Sequence, residues 1–378
     1  MARPSTSRIP FSPLYALLKM VVRNGGVQLS QLHHLLTLLV RYTAVEPLRL
    51  VERFVFDRKI AAHQLPKDPI FVIGHWRSGT SYLQTVLSQD PSLATSTLYR
   101  SIFADIFYVS ESWLKPIFNR LAHLLRLPFS LQRQPLHLDI PAEGDVALCS
   151  LLSPYSYTWG HIFPTRFGVW MDRCVFNPPP PVAAGWLEHY DTFVRKLSLA
   201  SGGRQLVMKS PGDTARVALL LRQYPDARFV YIHRDPVAVF HSNTYFWSVI
   251  HREFALQKLT PEDVQAVVLD TYESMVEGYL SQREQIPASQ RVEVRYEDLL
   301  RDPMATIEVV YRGLGKGVVP DEIQAYLSQQ KPYGPNTVAT SPAQDAMIRQ
   351  RWAQSFRVWP PRACEKREGE APKPEPLG

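Results

Sequence analysis

Ile70-Phe71-Val72-Ile73 is an uninterrupted apolar run that stops at Gly74 and leads, through a short polar loop, into a helical stretch from about Gly79 to Leu87. A strand with no polar face must lie inside a sheet that is covered on both sides. Gln205-Leu206-Val207-Met208 and Arg228-Phe229-Val230-Tyr231-Ile232 have the same character. Each is followed by helix, Thr214 to Gln223 and Val237 to about Ile250. A fourth run, Val292 to Tyr296, precedes a short helix. Buried strands alternating with helices predict a central parallel sheet and an α/β fold.

The rest of the chain is arranged around that sheet. Residues 1–64 read as an N-terminal helical extension, with amphipathic helices split at Gly25-Gly26 and at Pro47. It packs as an appendage on the main body or, in the sharper reading, makes a peripheral membrane contact through residues 13–60. Residues 65–360 form the α/β domain, and a helical insertion of about 99–199 carries the proline-rich loop Asn177 to Pro181. Insertions at strand ends commonly build the substrate side. Residues 361–378 mix charge with Pro and Gly and read as a disordered tail.

Composition narrows the options only a little. With 42 Lys+Arg against 35 Asp+Glu, the net charge of +7 suits an anionic ligand, a membrane surface or nucleic acid. The basic residues form no stripe, so nucleic acid is not expected as a partner. Three scattered cysteines, Cys149, Cys174 and Cys364, make neither a disulfide framework nor a zinc site. No run is long and apolar enough to span a bilayer, and the N-terminus makes a poor signal peptide. A cytoplasmic protein, with or without membrane association, is the expectation.

Chemistry concentrates in the loop Gly74-His75-Trp76-Arg77-Ser78-Gly79-Thr80-Ser81. A strand–loop–helix junction of this kind aims backbone N–H groups and a helix N-terminus at one point, where an anion is favoured. A nucleotide triphosphatase would carry Lys after the second Gly, where Thr80 stands, and an acidic residue after a later strand, where Lys209 stands. The loop is therefore suited to an anion and poorly furnished for ATP with magnesium. A second cationic locus follows the third strand: Arg234, then Pro236 at a helix start, then Ser242 about two turns on. Lys209 ends the neighbouring strand. Strand ends of this type are where α/β sheets bind ligands.

The strings GHWRSGTSYL, MKSPGDTAR, YPDARFV, YIHRDP and VRYEDL, in that order from about Pro66 to Leu314, resemble sulfotransferases that use 3'-phosphoadenylyl sulfate (PAPS). The match is to a bacterial branch of that superfamily. The resemblance implies a P-loop-like three-layer fold. It also implies a PAPS co-substrate, released as PAP, and no metal. In that picture Arg77, Ser78, Gly79, Thr80 and Ser81 hold the 5'-phosphosulfate, with Arg77 facing the sulfuryl group. Arg234 and Ser242 take the 3'-phosphate. Tyr82 and Tyr296 contact the adenine, and Lys209 lies near the transferred group. An Arg-Lys-Gly segment that completes the 3'-phosphate site in some relatives has no counterpart here.

The acceptor also needs a general base. Pro141-Ala142-Glu143-Gly144-Asp145 resembles a Pro-x-Glu-Asp-Glu segment of the bacterial branch, which makes Glu143 the first choice. Asp145, His137 and His75 remain open. The carboxylates also suit the first turn of a helix for purely structural reasons. The expected reaction is sulfuryl transfer to a hydroxyl, or an amine, of a small-molecule, lipid-like or carbohydrate acceptor. A nucleotide kinase or NTPase and a non-catalytic PAP(S)-binding module are the competing readings.

Overall fold

The computed structural model describes residues 13–65, 69–125, 128–129, 134–135, 137–330 and 341–361. The expected disordered tail lies, apart from Pro361, outside the described residues. Strands β1 (Ile70–Ile73), β2 (Leu93–Thr95), β3 (Gln205–Lys209), β4 (Arg228–His233) and β5 (Arg291–Arg295) form one parallel sheet in the order β2-β3-β1-β4-β5. β1 is central, with Val72 in register with Lys209 on one side and Val230 on the other. Its ends therefore lie beside those of β3 and β4, which brings three sequence-distant loops to one edge.

The helices that matter for the site are α1 (Pro13–Arg23), α2 (Leu32–Ala62), α3 (Thr80–Leu87), α4 (Phe107–Leu124) and α5 (Gly144–Ser150). They are followed by α6 (Pro180–Ala200), α7 (Val217–Gln223), α8 (Pro236–Phe254), α9 (Pro261–Gln282), α10 (Tyr296–Arg301) and α11 (Pro303–Gly313). Alternate strand residues point to opposite faces. Phe71, Ile73, Met208, Phe229 and Tyr231 pack with α6 residues such as Trp186 and Phe193. Ile70, Val72, Val207, Val230 and Ile232 pack with Leu83 of α3 and Ile307 of α11. That double covering is why the strands carry no polar face, and it produces three layers.

Several boundaries differ from the sequence expectation. β2 is an additional three-residue edge strand, too short to show a pattern. Tyr296 opens α10 instead of ending β5. The proline-rich loop stops earlier, because Pro180 and Pro181 form the first turn of α6, where a missing N–H costs nothing. α2 runs through Pro47 without a break. Pro47 is on the exposed side, while Tyr42, Val45, Arg49 and Glu52 hold both halves to the body. Those contacts offset the one backbone hydrogen bond that proline removes.

Candidate functional site

The loop after β1 is held in a tight turn by its own backbone. Gly74 and Gly79 have φ of 146° and 101°, and Arg77 adopts 66°, a conformation rare for residues with a side chain. A Cβ on Gly79 would lie 2.3 Å from the Tyr296 ring, and one on Gly74 would lie 2.3 Å from the Ile232 carbonyl oxygen. Only glycine permits both approaches. The Gly74 N–H donates to Thr214 Oγ1 at 2.8 Å, and Ser78 Oγ donates to the His75 carbonyl at 2.6 Å. α3 starts at Thr80, so the amides of its first turn, Thr80 to Tyr82, have no intrahelical acceptors, an arrangement that favours an anion.

The left-handed turn at Arg77 sends its side chain toward α8. Arg77 Nε donates to Ser242 Oγ at 2.9 Å, and the guanidinium lies over the Phe246 ring at 5.1 Å. Arg234 Nη1 donates to the Arg77 carbonyl at 3.1 Å and its guanidinium stacks on Tyr296 at 4.7 Å. Arg77, Arg234 and Ser242 thus form one cluster. The sequence expectation separated Arg77 from the other two, on the sulfuryl side; here its side chain is turned to Ser242. Phe246 and Thr214 were not foreseen. Tyr82 is half-buried beside Tyr296 and Tyr326, and burial raises its phenol above the usual value.

A second cluster lies at the end of β3. Lys209 Nζ donates to Glu143 Oε1 at 2.9 Å; the lysine side chain is 3% exposed and the carboxylate 21%. Glu143 immediately precedes α5, and Tyr157 donates a long hydrogen bond, 3.4 Å, to its other oxygen. The Tyr157 hydroxyl also lies 3.3 Å from Ser210 Oγ. Beneath these groups is a fully buried network. Arg216 pairs with Asp145 at 2.8 Å and Asp213 at 3.4 Å, Ser210 Oγ donates to Asp145, and Tyr190 donates to Asp213. One guanidinium serves two carboxylates without solvent. Burial, and then the Asp145 charge, raise the Asp213 carboxyl above its usual range.

The alternative bases are placed differently. Asp145 has no exposed surface and is engaged by Arg216 and Ser210. His75 is buried, with its Nδ1 2.9 Å from the Trp76 carbonyl and its ring against Tyr272; burial lowers its pKa to about 4. His137 is exposed and lies 3.4 Å from Asp139, which also takes Lys115. Glu143 is the one of the four that meets Lys209. A surface groove of about 560 Å³ lies along β5, α10 and α11 and includes neither cluster, so its size does not mark the chemistry.

A family model described as the sulfotransferase family matches residues 69–319, about two thirds of the chain. The chain belongs to the sulfotransferase family. It is a PAPS-dependent enzyme, as the ordered motifs imply, and the kinase, NTPase and non-catalytic readings give way. The chain is similar to the omega-hydroxy-beta-dihydromenaquinone-9 sulfotransferase Stf3 of Mycobacterium bovis, 27% identical over 81% of this chain and 79% of the relative. The protein of that name from Mycobacterium tuberculosis matches equally. Among solved structures, sulfotransferase STF1 of Mycobacterium tuberculosis H37Rv superimposes with a TM-score of 0.65 at 19% identity, covering 90% of this chain and 91% of that one. STF9 of Mycobacterium avium gives 0.67 at 16% identity, covering 93% and 97%. These two establish a shared fold. Among the described residues of this sulfotransferase, no helix is long and apolar enough to cross a membrane.

Proposed function

We propose that this sulfotransferase moves the sulfuryl group of PAPS onto the hydroxyl of a lipid-like acceptor, with Glu143 as the general base. The Lys209–Glu143 pair carries this reading. It joins a cation and a partly exposed carboxylate, 66 residues apart, at the strand edge where the anion loop opens. In the balanced reaction, R–OH and PAPS give the sulfate ester R–O–SO3⁻, PAP and one proton. The acceptor oxygen forms a bond to sulfur as the bond between sulfur and the phosphate oxygen breaks.

PAPS supplies the activated group, and the chain binds and positions it. The first-turn amides of α3 and the hydroxyls of Ser78, Thr80 and Ser81 surround the 5'-side. The Arg234–Ser242–Arg77 cluster is suited to the 3'-phosphate, and Tyr82 with Tyr296 to the base. Glu143 takes the acceptor proton, and Lys209 both orients that carboxylate and offsets developing negative charge. Of the acceptor classes expected from sequence, the lipid-like one is supported by the menaquinone derivative in the relative's name. The reading includes a cytoplasmic enzyme whose residues 13–60 touch a membrane.

The test is twofold. Calorimetry should show PAP binding more tightly than AMP or ADP without added metal. Labelled PAPS should then transfer to hydroxylated prenyl quinones in preference to short water-soluble alcohols. Preference for the short alcohols would remove the lipid-like acceptor while leaving the donor assignment intact.

A further inference from the structure

Large exposed apolar side chains are distributed very unevenly. Twelve fall between Leu14 and Val55 and six between Trp113 and Leu125, against six on all the other described residues. α2 is the extreme case. Its exposed side carries Leu32, Leu36, Val40, Leu50, Val51 and Phe54, at helical spacing over 23 residues, about 35 Å. Its buried side carries Arg49 and Glu52 among Tyr42, Val45 and Ile60. Glu52 pairs with the buried Lys196 of α6 and accepts the backbone N–H groups of Tyr108 and Val109 in α4. Arg49 pairs with Glu46. A helix in water is expected to bury its large apolar side chains and expose its charges, and this one leaves a row of six in solvent while holding two charges inside.

The neighbouring helices continue the pattern. α2 packs against both α1 and α4. α1 exposes Tyr15, Leu18 and Val22, and α4 exposes Trp113, Leu121 and Leu124. The charges at these surfaces have one dominant sign. Lys19, Arg23, Arg58, Lys59 and Arg120 are exposed, whereas Asp57 is the one exposed carboxylate among the described residues of the three helices. Exposed apolar rows flanked by cations fit the interface of a bilayer with anionic headgroups. Because no described helix is suited to crossing a membrane, α2 would lie in the plane of the surface.

We propose that α1, α2 and α4 form a docking surface for an anionic lipid bilayer, from which the acceptor enters the active site. This rests on the lipid-like acceptor reading and adds the route. Tyr42 of α2 donates to the Cys149 and Ser150 carbonyls at the C-terminal end of α5. Glu143 stands at the other end of that seven-residue helix, about 10 Å away. The docking helix therefore abuts the element that carries the base. On this proposal a hydroxyl at the end of a lipid is presented to Glu143 while its chain remains in the bilayer.

The test is flotation of the full chain with vesicles of equal parts phosphatidylcholine and phosphatidylglycerol. The protein should float with these and bind pure phosphatidylcholine more weakly. Leu36→Ser, Val51→Ser and Phe54→Ser together should lower the bound fraction by about tenfold or more. Trp113→Ser, Leu121→Ser and Leu124→Ser should lower it as well. Arg58→Gln with Lys59→Gln should reduce only the preference for the anionic vesicles. PAP affinity should be unchanged in all three variants, which shows that each is folded with an intact donor site. Failure of the wild-type chain to float at low salt would overturn the proposal, as would wild-type flotation of the α2 variant. Without flotation, a dimer split by that same variant would assign the surface to a second copy. Flotation with no transfer to prenyl alcohols or quinones would keep the docking surface and discard the lipid-like acceptor.

Discussion

Lys209 and Glu143 lie 2.9 Å apart, the lysine at the buried end of β3 and the glutamate at the entrance to α5. The lysine Nζ cannot take the acceptor proton while charged, and the carboxylate cannot stabilise developing negative charge. In the proposed mechanism they divide the two tasks that sulfuryl transfer sets. Glu143→Gln keeps the shape and an oxygen for Lys209 but removes the carboxylate's charge and basicity, along with the acceptor of the long Tyr157 hydrogen bond. Turnover of labelled PAPS should fall by about 10²–10⁴-fold, with PAP affinity within about twofold of wild type. Unchanged turnover would move the base elsewhere.

Arg234 bonds the Arg77 carbonyl and stacks on Tyr296, which leaves its charge beside Ser242 and Arg77. Arg234→Ala should weaken PAP binding by roughly 1.5–3 kcal/mol, the value of a charge-assisted hydrogen bond, and AMP binding much less. Calorimetry with the two nucleotides separates the effects. Equal losses would show that the arginine supports the loop and does not read the 3'-phosphate.

Gly212 lies under Tyr157, and a Cβ there would meet the ring at 2.5 Å. The ring is buried, so it has to move, and the hydroxyl that reaches Glu143 and Ser210 moves with it. Gly212→Ala should cost about 1–3 kcal/mol of stability, measured by denaturant titration, and should lower kcat. Tyr157→Phe should lower kcat without the stability loss of Gly212→Ala. An equal stability loss in both variants would make Tyr157 a packing residue alone.

Arg216 is the lone cation between Asp145 and Asp213, with no exposure for any of the three. Arg216→Met should destabilise the fold by about 3–5 kcal/mol, because two buried carboxylates lose their partner. Asp213→Asn should be far milder, since Arg216 and Asp145 keep each other. A thermal melt of each variant decides the comparison.

His75 and His251 are buried and His233 is partly buried; desolvation lowers each pKa to about 4 from an ordinary value near 6.5, with the Arg295 charge adding to the shift at His233. Burial, with the neighbouring His251, lowers His161 as well. The unfolded chain takes up protons at these side chains that the folded chain refuses. Their contribution is therefore neutral above pH 6.5 and increasingly destabilising as pH falls from 6.5 toward 4. The urea midpoint should drop between pH 7 and pH 5. A flat midpoint would mean that these rings are protonated in the folded state.

Much of the proposed donor side is legible in the residues themselves. An apolar run ending at Gly74, a second glycine at 79, Arg234 and a hydroxyl at 242 are local patterns set by backbone geometry and charge, and they need no knowledge of the fold. The pairing of Pro180 and Pro181 with a helix start is equally local, yet a run of four prolines conceals it. Pro47 misleads for the opposite reason: local propensity predicts a break, and packing on the buried side overrides it.

The parallel α/β core, the glycine-bounded loop after β1 and the set of four candidate bases can all be read from short segments of the chain. Strand burial, glycine conformations and charge types are properties of short segments and survive without tertiary information. Only the tertiary structure gives the four their different surroundings. Sheet order brings the end of β3 to α5, where Lys209 meets Glu143, while Asp145 is buried on Arg216 and His75 is closed in by aromatic rings. It alone places Glu52 of α2 inward, because Lys196, which neutralises it, lies 144 residues away along the chain. Contacts at that separation depend on how the layers assemble, which no local pattern encodes.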